Sequence, residues 1–314
     1  MLKRIMLLVL AFCLALPLAA QAEYPSSPVT IIVPSKAGGS TDATARLFIL
    51  TAKKYWPNAE FVVKNVDGSG GQKGFEEIAD AKADGLTIGM VFTTQVVAHV
   101  VSKRARYTLD SFHVMGNLND DPEIVVVPPT SPFKTLAEFA KAAKEKSLTV
   151  SVNGIGSDDF VAARKFEDTA GVTFNLMPTK GSTEQKSATL GGHVDASFMN
   201  LSQMFAQHKA GQARIIGILT KERSELLPDV ATGIEQGYPV LMTATRGFVA
   251  PAKVDATILA KLDDLFLKVQ GDADFVAAAK KDNLFLLPMN GPEYLDYLKA
   301  LQIDTQRYYD KSPW

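Results

Sequence analysis

The sequence predicts an α/β protein built as two lobes, and three observations carry that expectation. Short β-branched apolar runs alternate with helical stretches along almost the whole chain, the order that gives largely parallel sheets with covered faces. The series starts twice, once at Val29-Thr30-Ile31-Ile32-Val33 and again after Pro128-Pro129. Residues 23–314 are also long enough to supply each lobe with its own core.

The first set comprises the strand at 29–33, a loop at 34–41, a helix over 42–55 and a strand over 60–64. Gly68-Ser69-Gly70-Gly71 follows, then a helix near 74–83 and a strand over 86–91. Glu123-Ile124-Val125-Val126-Val127 is the next strand signal, stopped by the two prolines. The second set reads as helix 136–145, strand 148–152, loop 153–157, helix 160–169, strand 172–176, loop 178–182 and a helix ending at Gly191-Gly192. Strands over 194–198 and 214–219 come next, then Gly247-Phe248-Val249-Ala250-Pro251 and two helices, 255–269 and 293–309. These spans place lobe one at 23–125 and 245–314, with lobe two at 126–244 and the final helices packed back on lobe one.

The first 22 residues have the three-part form of an export signal. Lys3 and Arg4 precede an apolar run from Ile5 to Pro17, and Ala20-Gln21-Ala22 fits the small-x-small cleavage pattern. Cys13, the only cysteine, lies inside this segment, so residues 23–314 have no disulfide, thiolate metal site or cysteine nucleophile. The chain carries 33 basic and 34 acidic residues, two of the basic ones in the signal, and shows no basic stripe. Nucleic acid is therefore not the expected partner. No apolar run after residue 22 is long enough to cross a bilayer, so the mature chain is expected to be soluble.

The loop Pro34-Ser35-Lys36-Ala37-Gly38-Gly39-Ser40-Thr41-Asp42 joins a buried strand to an amphipathic helix. Glycines let the backbone approach a ligand closely, and the free N–H groups and dipole of a helix start attract anions. The same residues also read as a plain capped turn, with Ser40 or Asp42 bonding its own backbone. Asn153-Gly154-Ile155-Gly156-Ser157 repeats the design in the second lobe. Two such loops facing each other would clamp a carboxylate. Thr93-Thr94-Gln95 and Thr179-Lys180-Gly181-Ser182 follow strands and would line the same cleft, because ligands collect at the carboxyl ends of parallel strands. Asn200 and Arg246 complete the candidate ligand-binding set, which has no catalytic and no metal-ligating member.

These stretches resemble the periplasmic substrate-binding proteins of tripartite tricarboxylate transporters, the Bug family. The resemblance begins at Tyr24-Pro25-Ser26-Ser27-Pro28 and the strand that follows, and continues through Gly38-Gly39-Ser40-Thr41-Asp42, Asn65 with Gly68-Ser69-Gly70-Gly71, and Ala83-Asp84-Gly85-Leu86-Thr87. It extends through Gly154-Ile155-Gly156-Ser157, Lys180-Gly181-Ser182, Leu190-Gly191-Gly192-His193-Val194-Asp195 and Leu227-Pro228-Asp229-Val230. It implies a class II periplasmic binding fold whose lobes close by hinge bending on one ligand. It also implies a carboxylate held by main-chain N–H groups and waters of the loops at 34–42 and 154–157. The implied protein is periplasmic and monomeric, needs no cofactor, and delivers its ligand to the membrane components of a transporter. Four positions depart from the family. Phe160 replaces a usual histidine, Ser35 a phenylalanine, Lys36 a small residue and Arg246 an aromatic residue. The far end of the ligand is therefore expected to be read differently, with Lys36 and Arg246 as candidate positive charges. Each also reads as a plain surface cation.

Other classes fare worse. Gly68-Ser69-Gly70-Gly71-Gln72-Lys73-Gly74 misses the dinucleotide spacing, because Lys73 stands where the third glycine belongs. An exported enzyme with a soluble cofactor is thus a weak alternative. No G-x-S-x-G elbow is present. His99, His113, His193 and His208 lack metal-ligand spacing. His99 and His208 read as surface residues, His193 as an aid to a helix end, and His113 has no evident role. Asp120-Asp121 and Asp158-Asp159 read as solvated turns. A receptor serving a signalling partner would share the same fold and cleft.

Overall fold

The computed structural model describes residues 24–282 and 284–314; the export signal expected over 1–22 lies outside them. The chain forms β1 (Val29–Val33), α1 (Ser40–Tyr55), β2 (Phe61–Asn65), α2 (Gln72–Ala79), β3 (Thr87–Phe92), α3 (Gln95–Val101) and the long β4 (Phe112–Val127). It continues through α4 (Leu136–Glu145), β5 (Thr149–Val152), α5 (Asp158–Ala170), β6 (Asn175–Pro178), α6 (Ser182–Leu190), β7 (Ala196–Asn200), α7 (Leu201–Lys209) and β8 (Arg214–Ile218). β9 (Thr243–Pro251), α8 (Ala256–Gln270), α9 (Ala273–Lys281), β10 (Leu286–Asn290) and α10 (Gly291–Lys311) follow.

Two lobes share β4. In lobe one, β2, β1 and β3 run parallel, and β9 joins β3 to the first part of β4 with antiparallel pairing on both sides. In lobe two, β6, β5 and β7 run parallel, while β7 and β8 pair antiparallel with the end of β4. The handover falls between adjacent residues: Pro122 lies opposite Thr243 of β9, and Glu123 lies opposite Asn200 of β7.

The period of two along each strand sorts the core onto the two faces of each sheet. Val29, Ile31 and Val33 pack with Phe48 of α1 and Leu262 and Phe266 of α8. Ile32, between them, packs on the other face with Phe75 of α2 and Tyr294 of α10. β4 repeats the device in lobe two. Val125 and Val127 meet Phe139 and Phe166, whereas Ile124 and Val126 meet Leu201 and Met204.

Three features depart from the sequence-based expectation. β4 begins at Phe112 instead of Glu123, and Gly116, Asn117, Asn119, Asp120 and Asp121 had hidden its start. These polar residues are tolerated because β4 is paired along both edges there, by β9 and β10. The helices α3, α7 and α9 and the strand β10 were not anticipated. Finally, α10 does not stay on lobe one. Tyr294 and Leu298 at its start join that core. Further along, Asp304 accepts from Lys165 at 2.8 Å and Lys311 donates to Asp168 at 2.6 Å. Beyond the helix, Trp314 packs against the lobe-two core.

Candidate ligand-binding site

A cavity of about 500 Å³ lies between the lobes at the carboxyl ends of the parallel strands. Of the candidate residues, Ser35, Lys36, Ala37, Gly39, Ser40, Thr41, Thr93 and Gln95 line it from lobe one. Gly154, Lys180 and Asn200 line it from lobe two, and Arg246 from β9. β1 delivers the first loop, and Gly74 on α2 packs that loop down: a Cβ there would sit 2.7 Å from the Pro34 backbone. Thr93 is fixed by Thr245, whose N–H donates to its hydroxyl at 2.9 Å.

Two helices open onto the cavity with a glycine as N-cap. Gly39 precedes α1 and Gly181 precedes α6, and neither offers a side chain to the first-turn N–H groups. Those groups belong to Ser40 and Thr41 on one side and Ser182 and Thr183 on the other, and all four residues line the cavity. Uncapped first-turn N–H groups backed by the helix dipole favour an anion. The loop at 153–157 behaves differently. The Ser157 hydroxyl accepts from Phe160 N at 3.0 Å and so caps α5 itself, and Asp158 and Asp159 fill its first turn. The anion-ready terminus in lobe two is thus that of α6, carried by the segment Thr179 to Thr183, instead of the α5 loop that the glycine spacing had singled out.

The floor is rich in acids. The side chain of Arg246 is 5% exposed and its Nη1 lies 3.2 Å from Asp121 Oδ2. Its Nη2 donates to Asn200 Oδ1 at 3.4 Å. Asn200 Nδ2 in turn donates to Asp158 Oδ2 at 2.6 Å and Glu123 Oε2 at 3.1 Å. Glu123, Asp158 and Asp159 have carboxylate oxygens within 4.8 Å of one another, all buried. Burial, with the neighbouring carboxylates behind it, pushes Glu123 and Asp159 well up. Burial also raises Asp158, but the Asn200 amide and the Arg246 charge oppose the rise. Glu123 and Asp159 are thus pushed further towards the protonated form than Asp158, the member of the trio that lines the cavity. The three acids suit shared protons better than a metal ion, because Asn200 aims an amide N–H₂ into the cluster.

Five candidate residues lie off the cavity. Gly38 lines an adjoining recess of about 270 Å³. Asp42 is buried as a brace: its carboxylate accepts from Gly38 N at 2.9 Å, Arg46 Nε at 2.8 Å and Asn65 at 3.1 Å. Burial works against that charge, but these donors together hold the carboxyl below its usual range. Thr94 is fully buried beside Met242. Gly156 packs towards Ala98 and Trp314, and Ser157 is consumed as a cap.

Other expectations are corrected too. His99 is buried, its Nε2 3.1 Å from Gly70 O. His208 accepts from Ile215 N, and His113 pairs with Asp263 at 2.8 Å. Asp121, Asp158 and Asp159 are buried instead of lying in solvated turns. Asp158 and Gln203, which line the cavity, carried no sequence signal as ligand contacts. A second cavity of about 470 Å³, largely apolar, opens beside Ile218, Leu226, Val276 and Phe285 and contains none of the candidate residues.

Two α/β lobes around one interlobe cleft, with helix N-termini aimed into it, define the class of periplasmic solute-binding proteins. The profile described as "Tripartite tricarboxylate transporter family receptor" matches residues 51–300, and the chain belongs to that family. It is 30% identical over 255 residues to an Agrobacterium vitis protein of the TAR-I ttuE-ttuC' intergenic region, covering 79% of this chain and 73% of the relative. A solved TctC solute-binding protein from Polaromonas is 25% identical, with a TM-score of 0.73 over 92% of this chain and 99% of that one. MatC from Rhodopseudomonas palustris, solved with bound malate, shares the fold at 24% identity and a TM-score of 0.81, over 91% of this chain and 99% of that one.

Proposed function

We propose that this receptor captures a small organic carboxylate between the N-termini of α1 and α6 and hands it to the membrane components of a transporter. One observation carries the reading. Two glycine-capped helix starts line a single cavity together with the cations Lys36, Lys180 and Arg246. The first-turn N–H groups at Ser40, Thr41, Ser182 and Thr183 are the carboxylate's donors, and lobe two, over 126–244, closes on lobe one around β4 and β9. The site is read as a receptor's, in keeping with the receptor family to which the chain belongs.

The reading includes work in the periplasm as a monomer, with residues 1–22 removed on export. It is supported by the family's association with tricarboxylate transport and by the form of the leader. Among the described residues, no helix is long and apolar enough to cross a membrane.

A thermal-shift screen of organic acids against their uncharged amides tests it. A ligand that binds only the folded state adds about 2.7 kcal/mol of stability at a hundredfold excess over its Kd. The expected outcome is a rise in Tm with an acid and none with its amide, weakened by Ser182→Pro, which removes one first-turn N–H. A rise only with neutral compounds would overturn the reading.

A further inference from the structure

We propose that the ligand is an amino-carboxylate, whose carboxylate sits at the two helix N-termini and whose protonated amine is met on the floor by Asp158, Gln95 and Gln203. This rests on the carboxylate reading above and specifies the other end of the ligand.

The floor is short of donors and long on acceptors. Its buried cation, Arg246, is already committed to Asp121 and to Asn200. Asp158 presents a carboxylate to the same cavity. The amide orientations follow from the buried acids. Asn200 must turn its N–H₂ towards Glu123 and Asp158, so its Oδ1 faces outwards, where Gln203 Nε2 donates to it at 3.0 Å. That leaves Gln203 Oε1 as an acceptor with no partner. Gln95, on the lobe-one side, is only 4% exposed, lines the cavity and likewise has an unpartnered Oε1.

A buried acceptor left unpaired is costly, and the group that answers three acceptors is one with three donors and no acceptor. A primary ammonium has that composition. A second carboxylate brings only acceptors, stands against Asp158 and has to compete with Asp121 for Arg246. The lobes also supply the acceptors from both sides, Gln95 from one and Asp158 and Gln203 from the other. An amine on the ligand therefore bridges the cleft at its base while the carboxylate bridges it between α1 and α6.

Isothermal titration of the full chain with chain-length-matched sets decides the matter: propionate, alanine, β-alanine and malonate, then butyrate, γ-aminobutyrate and succinate. The expected result is an amine-bearing member at least about tenfold tighter than its plain and dicarboxylate counterparts, the worth of one charge-assisted hydrogen bond. Asp158→Asn is expected to bring that ratio towards one, and Gln95→Leu to reduce it. Should Asp158→Asn not fold, the wild-type ratios and Gln95→Leu carry the test. A dicarboxylate binding tightest, or plain acids binding as well as amino acids, overturns this inference and leaves the carboxylate reading standing. Binding by none of the acids overturns both.

Discussion

Phe160 of α5 and Trp314 beyond α10 meet edge to face, with ring centroids 5.3 Å apart at 67°. The pair ties lobe two to the last helix of a chain whose α10 begins in the core of lobe one. Arg164 lies over the same phenyl ring, 5.2 Å from its centroid. Phe160 thus packs in the core of lobe two and is not among the residues that line the cavity.

A double-mutant cycle with Phe160→Leu and Trp314→Leu is expected to show a coupling of about 0.5–1.5 kcal/mol in urea unfolding. Strictly additive single losses would mean that the rings contribute only through their separate burial.

Glu123→Gln is expected to stabilise the protein increasingly as pH rises. Burial favours the protonated form of Glu123 in the fold, while the unfolded side chain ionises near its ordinary value of about 4.3. The unfolded state therefore binds fewer protons, and wild-type stability falls as pH climbs through the interval up to the raised folded value. Glutamine keeps a donor towards Asp158 and removes the titration. Melting temperatures of both proteins between about pH 5 and 8 check this; a constant difference would refute the protonated state.

Asp42→Asn is expected to cost about 1–3 kcal/mol near neutral pH, the penalty for breaking a buried network with charged partners. The sign reverses relative to Glu123. Here the folded carboxyl is held down, so its contribution is complete above the unfolded value of about 3.9 and is lost as pH falls through the folded one. The gap between variant and wild type should therefore narrow on acidification. Because Asp42 holds Gly38 N, ligand affinity should drop as well. Unchanged affinity would show that the first loop keeps its shape without this brace.

The α/β alternation and the placing of the segments 34–42, 93–95 and 179–182 beside one cleft were legible because they follow from strand periodicity and glycine placement. Other features were not. Glycine spacing cannot tell an open helix start from a capped one. The difference between α5 and α6 is that Ser157 folds back onto Phe160 N, whereas Gly181 has nothing to fold back. Nor does adjacency in sequence reveal burial: Asp158-Asp159 look like a solvated pair until Glu123 and Asn200 arrive from two other strands. β4 escaped notice at its start because pairing on both edges, and not apolar alternation, keeps residues 116–121 extended.

The chain contains two tryptophans, Trp56 and Trp314. Trp56 stacks on Phe61 within lobe one at 6.3 Å. With Trp56→Phe, the tryptophan emission would come from a single indole seated where the last helix meets lobe two. The protein then carries its own optical gauge: a shift in emission on adding ligand would report the seam loosening or tightening, in real time and without an attached dye.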